Sequence, residues 1–174
     1  MRNIAILAGL AACAAANAVI TESESNNTIG TANLISRGAS PWADVGVINL
    51  AAGGGDVDFF GIDLLAGEYL TVITYPIADD SENAPDTMLT LRDSTGFELD
   101  FNDDANGFGS AIRYHIADTG RYYIGITGFG DTGFGGAHGE EGDYILTVSV
   151  VPEPATMLAL GAGLAALAAR KRRK

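Results

Sequence analysis

GDYILTVSV, residues 142–150, decides the fold. Tyr144, Leu146, Val148 and Val150 take alternate places, and Thr147 and Ser149 fall between them. Successive side chains of a strand point to opposite faces, so this stretch reads as a strand with one buried and one wet face. AIRYHI at 111–116 repeats the pattern, with Ile112, Tyr114 and Ile116 on one face and Arg113 and His115 on the other. Runs of β-branched and aromatic residues cover 45–50, 57–64, 69–75, 87–91, 97–101 and 121–127. Turn signals separate them at Ala66-Gly67-Glu68, Ser94-Thr95-Gly96, Asn106-Gly107 and Thr119-Gly120. No stretch between residues 19 and 150 sustains a 3.6-residue period. About eight short strands joined by Gly, Asn and Asp turns predict an all-β, jelly-roll-like antiparallel β-sandwich. Its length suffices to bury a core without disulfides or a cofactor.

Outside that body the composition changes. Residues 1–18 carry one charge, Arg2, then an apolar run that closes with Ala16-Asn17-Ala18. A basic start, an apolar core and a small-x-small end predict a secretory signal peptide. LAAC at 10–13 resembles a lipobox, which would make Cys13 a lipidated first residue. Cys13 is the only cysteine, so an internal disulfide and any CxxC motif are excluded. Cleavage after Ala18 would leave a mature chain without cysteine, suited to an oxidising compartment. At the other end, VPEPAT (151–156) precedes an apolar segment, 157–169, and five cations at 170–174. As a helix the apolar segment reaches about 20 Å, short of a hydrocarbon core of roughly 30 Å. With Ala155, Thr156 and snorkelling basic side chains it would just span, as a short transmembrane helix. The cations would keep the C-terminus on the cytoplasmic side.

The chain holds 22 Asp+Glu against 10 Lys+Arg. Arg2 and the five tail cations are six of those ten, and Glu153 is the one acid outside the body. Residues 19–150 therefore keep four arginines and 21 acids, a net charge of −17. Such a surface repels nucleic acid and attracts cations.

Val151, Pro152, Glu153 and Pro154, the apolar segment and the basic end together resemble the PEP-CTERM sorting signal. The resemblance implies an exosortase as partner, cleavage near the motif, and transient anchoring in the inner membrane. The destination implied is the cell surface or extracellular matrix of a Gram-negative bacterium. A plain C-terminal membrane anchor is the alternative.

The body resembles the bacterial pre-peptidase C-terminal (PPC-like) domain through several blocks in order. These are TESESNNT (21–28) with Ala32, DVDFF (56–60), LAGEYLTV (65–72), LRDSTG (91–96), NDD (102–104), GRYYI (120–124) and GDYIL (142–146). Ser25 stands where that family usually has Pro. The resemblance implies a jelly-roll sandwich that binds structural Ca²⁺ between the acidic opening and the D-x-D block. Carried onto this chain, the ligands are Glu22, Glu24, Asn26, Asn27, Asp56 and Asp58. The chemistry agrees, because Ca²⁺ takes about six to eight oxygen ligands, mostly carboxylates and carbonyls.

Asp100, Asn102, Asp103 and Asp104 resemble an EF-hand start only superficially and read as an Asx-built turn. Asp79, Asp80, Glu82 and Asp86 read as a solvated acidic loop. The Gly-rich stretch 128–142 reads as a long surface loop, with Phe129 and Phe134 either forming a contact patch or tucking beneath it. Trp42 is either a packing residue or, with those two, a sugar platform. His115 reads as a surface residue, and His115 and His138 do not form a zinc motif. No G-x-S-x-G is present. The expectation is a non-catalytic exported protein of the matrix or envelope, acting in adhesion or in contact with polysaccharide or protein. The alternatives are a glycan-binding module and a purely structural envelope protein.

Overall fold

The computed structural model describes residues 19–51, 55–77 and 84–172. The signal-peptide segment 1–18 with its Cys13, the acidic residues Asp79, Asp80 and Glu82, and Arg173 and Lys174 lie outside the described residues.

Among the described residues nine strands and one helix follow in order: β1 Asn33–Leu34, β2 Trp42–Leu50, β3 Asp58–Leu64, β4 Glu68–Pro76, β5 Thr87–Arg92, β6 Glu98–Asn102, β7 Ala111–His115, β8 Gly120–Gly128, β9 Gly142–Pro152 and α1 Pro154–Arg172. They form a sandwich of a five-stranded sheet, β1-β3-β8-β5-β6, and a four-stranded sheet, β2-β9-β4-β7. Every pairing is antiparallel except that of the two-residue β1 with β3. The alternation that predicts the fold is realised in β9, where Tyr144, Leu146, Val148 and Val150 are fully buried. They pack between the sheets with Ile48, Leu70 and Val72 on their own side and Phe60, Ile62, Leu89 and Ile124 opposite.

The eight predicted strands are all present. β9 extends past its predicted end because β4 is long enough to pair with it: Val151 lies opposite Tyr69 and Pro152 opposite Glu68. A proline at the end of a strand forfeits little, since the ladder stops there anyway. The helix begins at Pro154, not at 157, because proline fits the first helical position, where its missing N–H costs nothing. Among the described residues no helix is long and apolar enough to cross a membrane. Leu158, Leu160, Leu164 and Leu167 of α1 are exposed.

The sandwich has two chemically different ends. At the end from which the tail departs, the turns after β3 and before β8 meet Pro152 around a cavity of about 690 Å³. The opposite end gathers the N-terminal segment, the loop before β3, the start of β5 and the Gly-rich loop.

Candidate metal centre

The N-terminal segment reaches the site by crossing the free edge of β2. Ile20 N–H donates to the Val45 carbonyl at 3.2 Å. Gly46 makes that crossing possible, since a Cβ there would lie 2.2 Å from the Ile20 carbonyl oxygen. Substituting Gly46→Ala is expected to push the segment off the edge at a cost of about 1–3 kcal/mol, the usual penalty of overpacking. Thermal unfolding would register that loss. Further along, Glu22 Oε2 accepts from Asn49 N–H at 3.2 Å, and the Asn26 carbonyl accepts from Phe59 N–H at 3.1 Å. The segment is thereby tied to β2 and β3, and the two acidic blocks, some 30 residues apart in sequence, meet.

Glu22, Glu24 and Asp58 each place a carboxylate oxygen within 4.8 Å of the others. Asp58 and Asn26 are completely buried. Tyr144 O–H donates to Asp58 Oδ2 at 2.6 Å, while Asp58 Oδ1 is buried with no partner. Asn26 Nδ2 donates to Glu22 Oε1 at 3.4 Å and Asn33 Oδ1 at 3.3 Å, and its own Oδ1 has no partner. Asn27 Nδ2 donates to the Gly55 carbonyl at 3.1 Å, and again the Oδ1 is left bare. Three buried acceptors without donors are costly, because each has lost its water and gained nothing. Asp56 is not among the converging carboxylates; its Oδ2 accepts from Ala51 N–H at 2.6 Å.

The electrostatics point the same way. Burial, then the neighbouring Glu22, push the Asp58 carboxyl up to about 10, against the smaller downward pull of the Tyr144 hydroxyl. Burial, then Asp58, raise Tyr144 well above its ordinary value. Glu24 is raised by burial, then by Asp56 and Glu22. Without a counter-ion these groups are thus driven towards their protonated, neutral forms, and a cation would let the carboxyls ionise. Donors that are all oxygen, mixing carboxylates with amide carbonyls, suit a hard cation such as Ca²⁺.

Residues that the sequence reading left aside support this end of the sandwich. Asn33 bridges the segment, accepting from Ser23 N–H at 2.8 Å and donating to the Ser23 carbonyl at 3.0 Å. His138 Nδ1 accepts from Glu140 N–H at 3.1 Å, which leaves Nε2 to donate to the Asp56 carbonyl at 2.7 Å. The histidine therefore ties the Gly-rich loop to the D-x-D block. Inside that loop Asp131 accepts from Thr127 O–H at 2.8 Å, Gly135 N–H at 3.1 Å and Gly136 N–H at 2.7 Å. Burial alone would raise its carboxyl, but these bonds outweigh it and hold it below the usual range. An aspartate amid glycines was the available signal for such a loop.

The aromatic residues do not come together. Phe134 is buried at 5% exposure and packs with Val57, Phe59 and Met88, Phe129 is exposed, and Trp42 is half-buried against the main core. A second acidic group draws on two stretches that the sequence reads separately, an Asx-built turn and a solvated loop. Asp86, Asp103 and Asp104 bring carboxylate oxygens within 4.8 Å, and Asp86 is pushed up to about 6 by burial and by its acidic neighbours. Asp86 thus leaves the solvated loop to which the sequence assigned it. Asn102, by contrast, serves structure, accepting from Ala111 N–H at 2.9 Å. The sorting residues lie at the other end: Val151 and Pro152 within β9, Glu153 at the strand–helix junction and Pro154 opening α1.

Residues 150–173 match the PEP-CTERM protein-sorting motif. The tail carries that signal, and the chain is an exported protein with a β-sandwich fold. Over 72 residues, 41% of the chain, it is 33% identical to a probable subtilase-type serine protease of Deinococcus radiodurans. The match spans 10% of that protease's length. Among solved structures the chain is similar to PliG of Aeromonas hydrophila, a periplasmic inhibitor of g-type lysozyme. The two are 15% identical with a TM-score of 0.49, over 68% of this chain and 95% of that one. It is also similar to the pre-peptidase C-terminal domain of a Bacillus anthracis collagenase, 17% identical with a TM-score of 0.43, over 68% of this chain and 93% of that one.

Proposed function

We propose that the protein is a non-catalytic, calcium-stabilised module of the cell surface or extracellular matrix, delivered there by its sorting tail and acting in adhesion or matrix contact. An exosortase would be its partner during export, and extracellular polysaccharide or protein its partner afterwards. The transient membrane stage rests on the sorting motif and the basic end of the tail. One observation carries the calcium reading: Glu22 and Glu24 meet Asp58 beside three buried oxygens that have no donor. Glu22, Glu24, Asn26, Asn27 and Asp58 would hold the ion, and Asp56 would add charge behind them. In that role the cation joins the N-terminal segment to both sheets and stiffens one end of the sandwich.

Terbium substitutes for calcium at oxygen sites and emits when a nearby tyrosine transfers energy to it. Tyr144, hydrogen-bonded to Asp58, is placed to do so. The full-length chain titrated with Tb³⁺ is expected to show saturable emission under tyrosine excitation, reversed by Ca²⁺ and lost in Asp58→Asn with Glu22→Gln. Emission that survives both substitutions, or none at all, would sink the site.

A further inference from the structure

The sorting motif is not a free tail. Pro152 is in register with Glu68 of β4, and the next residue continues the contact: Glu153 N–H donates to the Gly67 carbonyl at 2.8 Å. The Glu153 carboxylate meets Nε2 of His115, the last residue of β7, at 2.5 Å. The imidazole is itself oriented. Tyr69 of β4 lies opposite His115 in the ladder, with ring centroids 5.0 Å apart, and the Arg113 guanidinium sits 4.7 Å above the other ring of that pair. Neither His115 nor Glu153 is buried, so the contact can open without unfolding the core.

We infer that His115 is a positioning residue for the sorting signal: it holds Glu153 against the end of the four-stranded sheet, so that Pro152-Glu153-Pro154 becomes available to a processing enzyme only when this contact releases. The inference rests on the reading of the tail as a processed signal. An enzyme that cuts a chain must surround an extended, unpaired segment, and here the backbone N–H of Glu153 and its carboxylate are both engaged. Only the released fraction can bind, and the apparent affinity for the motif falls by that fraction. Release is a local opening of the sheet end, of the kind that precedes global unfolding in most proteins. The folded body thereby delays presentation of its own tail.

Two readouts on the full-length chain test this. The first is amide hydrogen exchange at Glu153. The second is the rate of tail loss, followed by mass in cells that carry the sorting enzyme. His115→Ala is expected to speed Glu153 exchange and tail loss about two- to fivefold, in line with a partly exposed ion pair. Exchange at Leu70 and Val148, in the core strands, should stay unchanged. His115→Lys, which offers an N–H donor there, should restore both rates towards those of the natural chain. Unchanged Glu153 exchange in His115→Ala overturns the contact, and so does faster exchange shared with Leu70 and Val148. Faster exchange with unchanged or slower tail loss overturns the restraint on processing. A tail retained in every variant defeats the processing reading instead, and Glu153 exchange still decides whether His115 holds the motif.

Discussion

Chelating calcium from the full-length chain is expected to lower its melting temperature by on the order of 10 °C. A ligand that binds only the folded state stabilises it by about 2.7 kcal/mol when its free concentration is a hundredfold above Kd, and a domain of this size loses a few degrees per kcal/mol. The same experiment at several pH values carries more information, because Asp58 sets a sign. Its carboxyl rises from an ordinary 3.8 to about 10 in the folded, metal-free chain. Between those values the folded state keeps a proton that the unfolded chain has released, so stability is fully present below pH ~4 and is lost as pH rises towards 10. Asp86, raised to about 6, adds the same sign over the lower part of that window. Asp63, Asp93 and Asp131 are lowered, so their contributions change only below the ordinary carboxylate range. From pH 5 to 8 the metal-free protein should therefore melt at falling temperatures, with a slope of about 1–2 kcal/mol per pH unit, steepest below pH ~6 where Asp86 adds to Asp58. With millimolar calcium the slope should flatten or reverse, because the cation replaces the proton and binds better as protons leave. Asp58→Asn separates the site from a merely acidic surface. It should abolish the calcium response and leave the metal-free melting temperature unchanged or raised, since the carboxyl it replaces is already neutral there. A calcium response that persists in Asp58→Asn would place the cation elsewhere.

The parts of this architecture that a sequence can carry are those written in local periodicity. β9 and β7 alternate strictly because one face of each is buried and the other wet, and both were legible residue by residue. β1 was not, because two residues hold no period; Asn33 and Leu34 pair with β3 only through the path of the preceding segment. The acidic cluster of Glu22, Glu24 and Asp58 divides in the same way. Its residue types and two-block order were legible, whereas the convergence depends on Gly46 admitting the Ile20 backbone and on Asn33 bracing the segment. Asp86 reads as solvated because its neighbours in sequence are acidic. Its neighbours in space, Asp103 and Asp104, arrive from beyond β6. The alternation of β7 places His115 on the wet face, where it lies, but its partner Glu153 is 38 residues away and meets it only because β9 outruns its hydrophobic pattern.

Arg37→Met is expected to destabilise the protein by about 3–5 kcal/mol, a large share of the 5–15 kcal/mol that holds an ordinary domain together. Arg37 and Glu68 form a two-pronged pair at 2.7 and 3.1 Å, with side chains only 10% and 6% exposed. The arginine also donates to the Asp63 carbonyl at 2.6 Å, and Glu68 accepts from Leu65 N–H at 2.8 Å and from the Ser40 hydroxyl. Removing the guanidinium leaves a buried carboxylate uncompensated, which costs far more than the pair itself contributes. Arg37→Lys should fall between, because an ammonium cannot make both prongs and the carbonyl bond together. Arg37→Met combined with Glu68→Leu should recover much of the loss, since no charge is then stranded. Urea midpoints at constant m would rank the three. The ranking also bears on the tail. Glu68 is the register partner of Pro152, and Gly67 holds the Glu153 amide, so the network that buries Glu68 fixes the turn on which the sorting motif rests. Arg37→Met should accordingly speed exchange at Glu153 more than His115→Ala does, because it loosens the acceptor side of the contact as well as the fold. Equal exchange in the two variants would mean that the ion pair alone holds the motif and that the turn beneath it is rigid without Arg37.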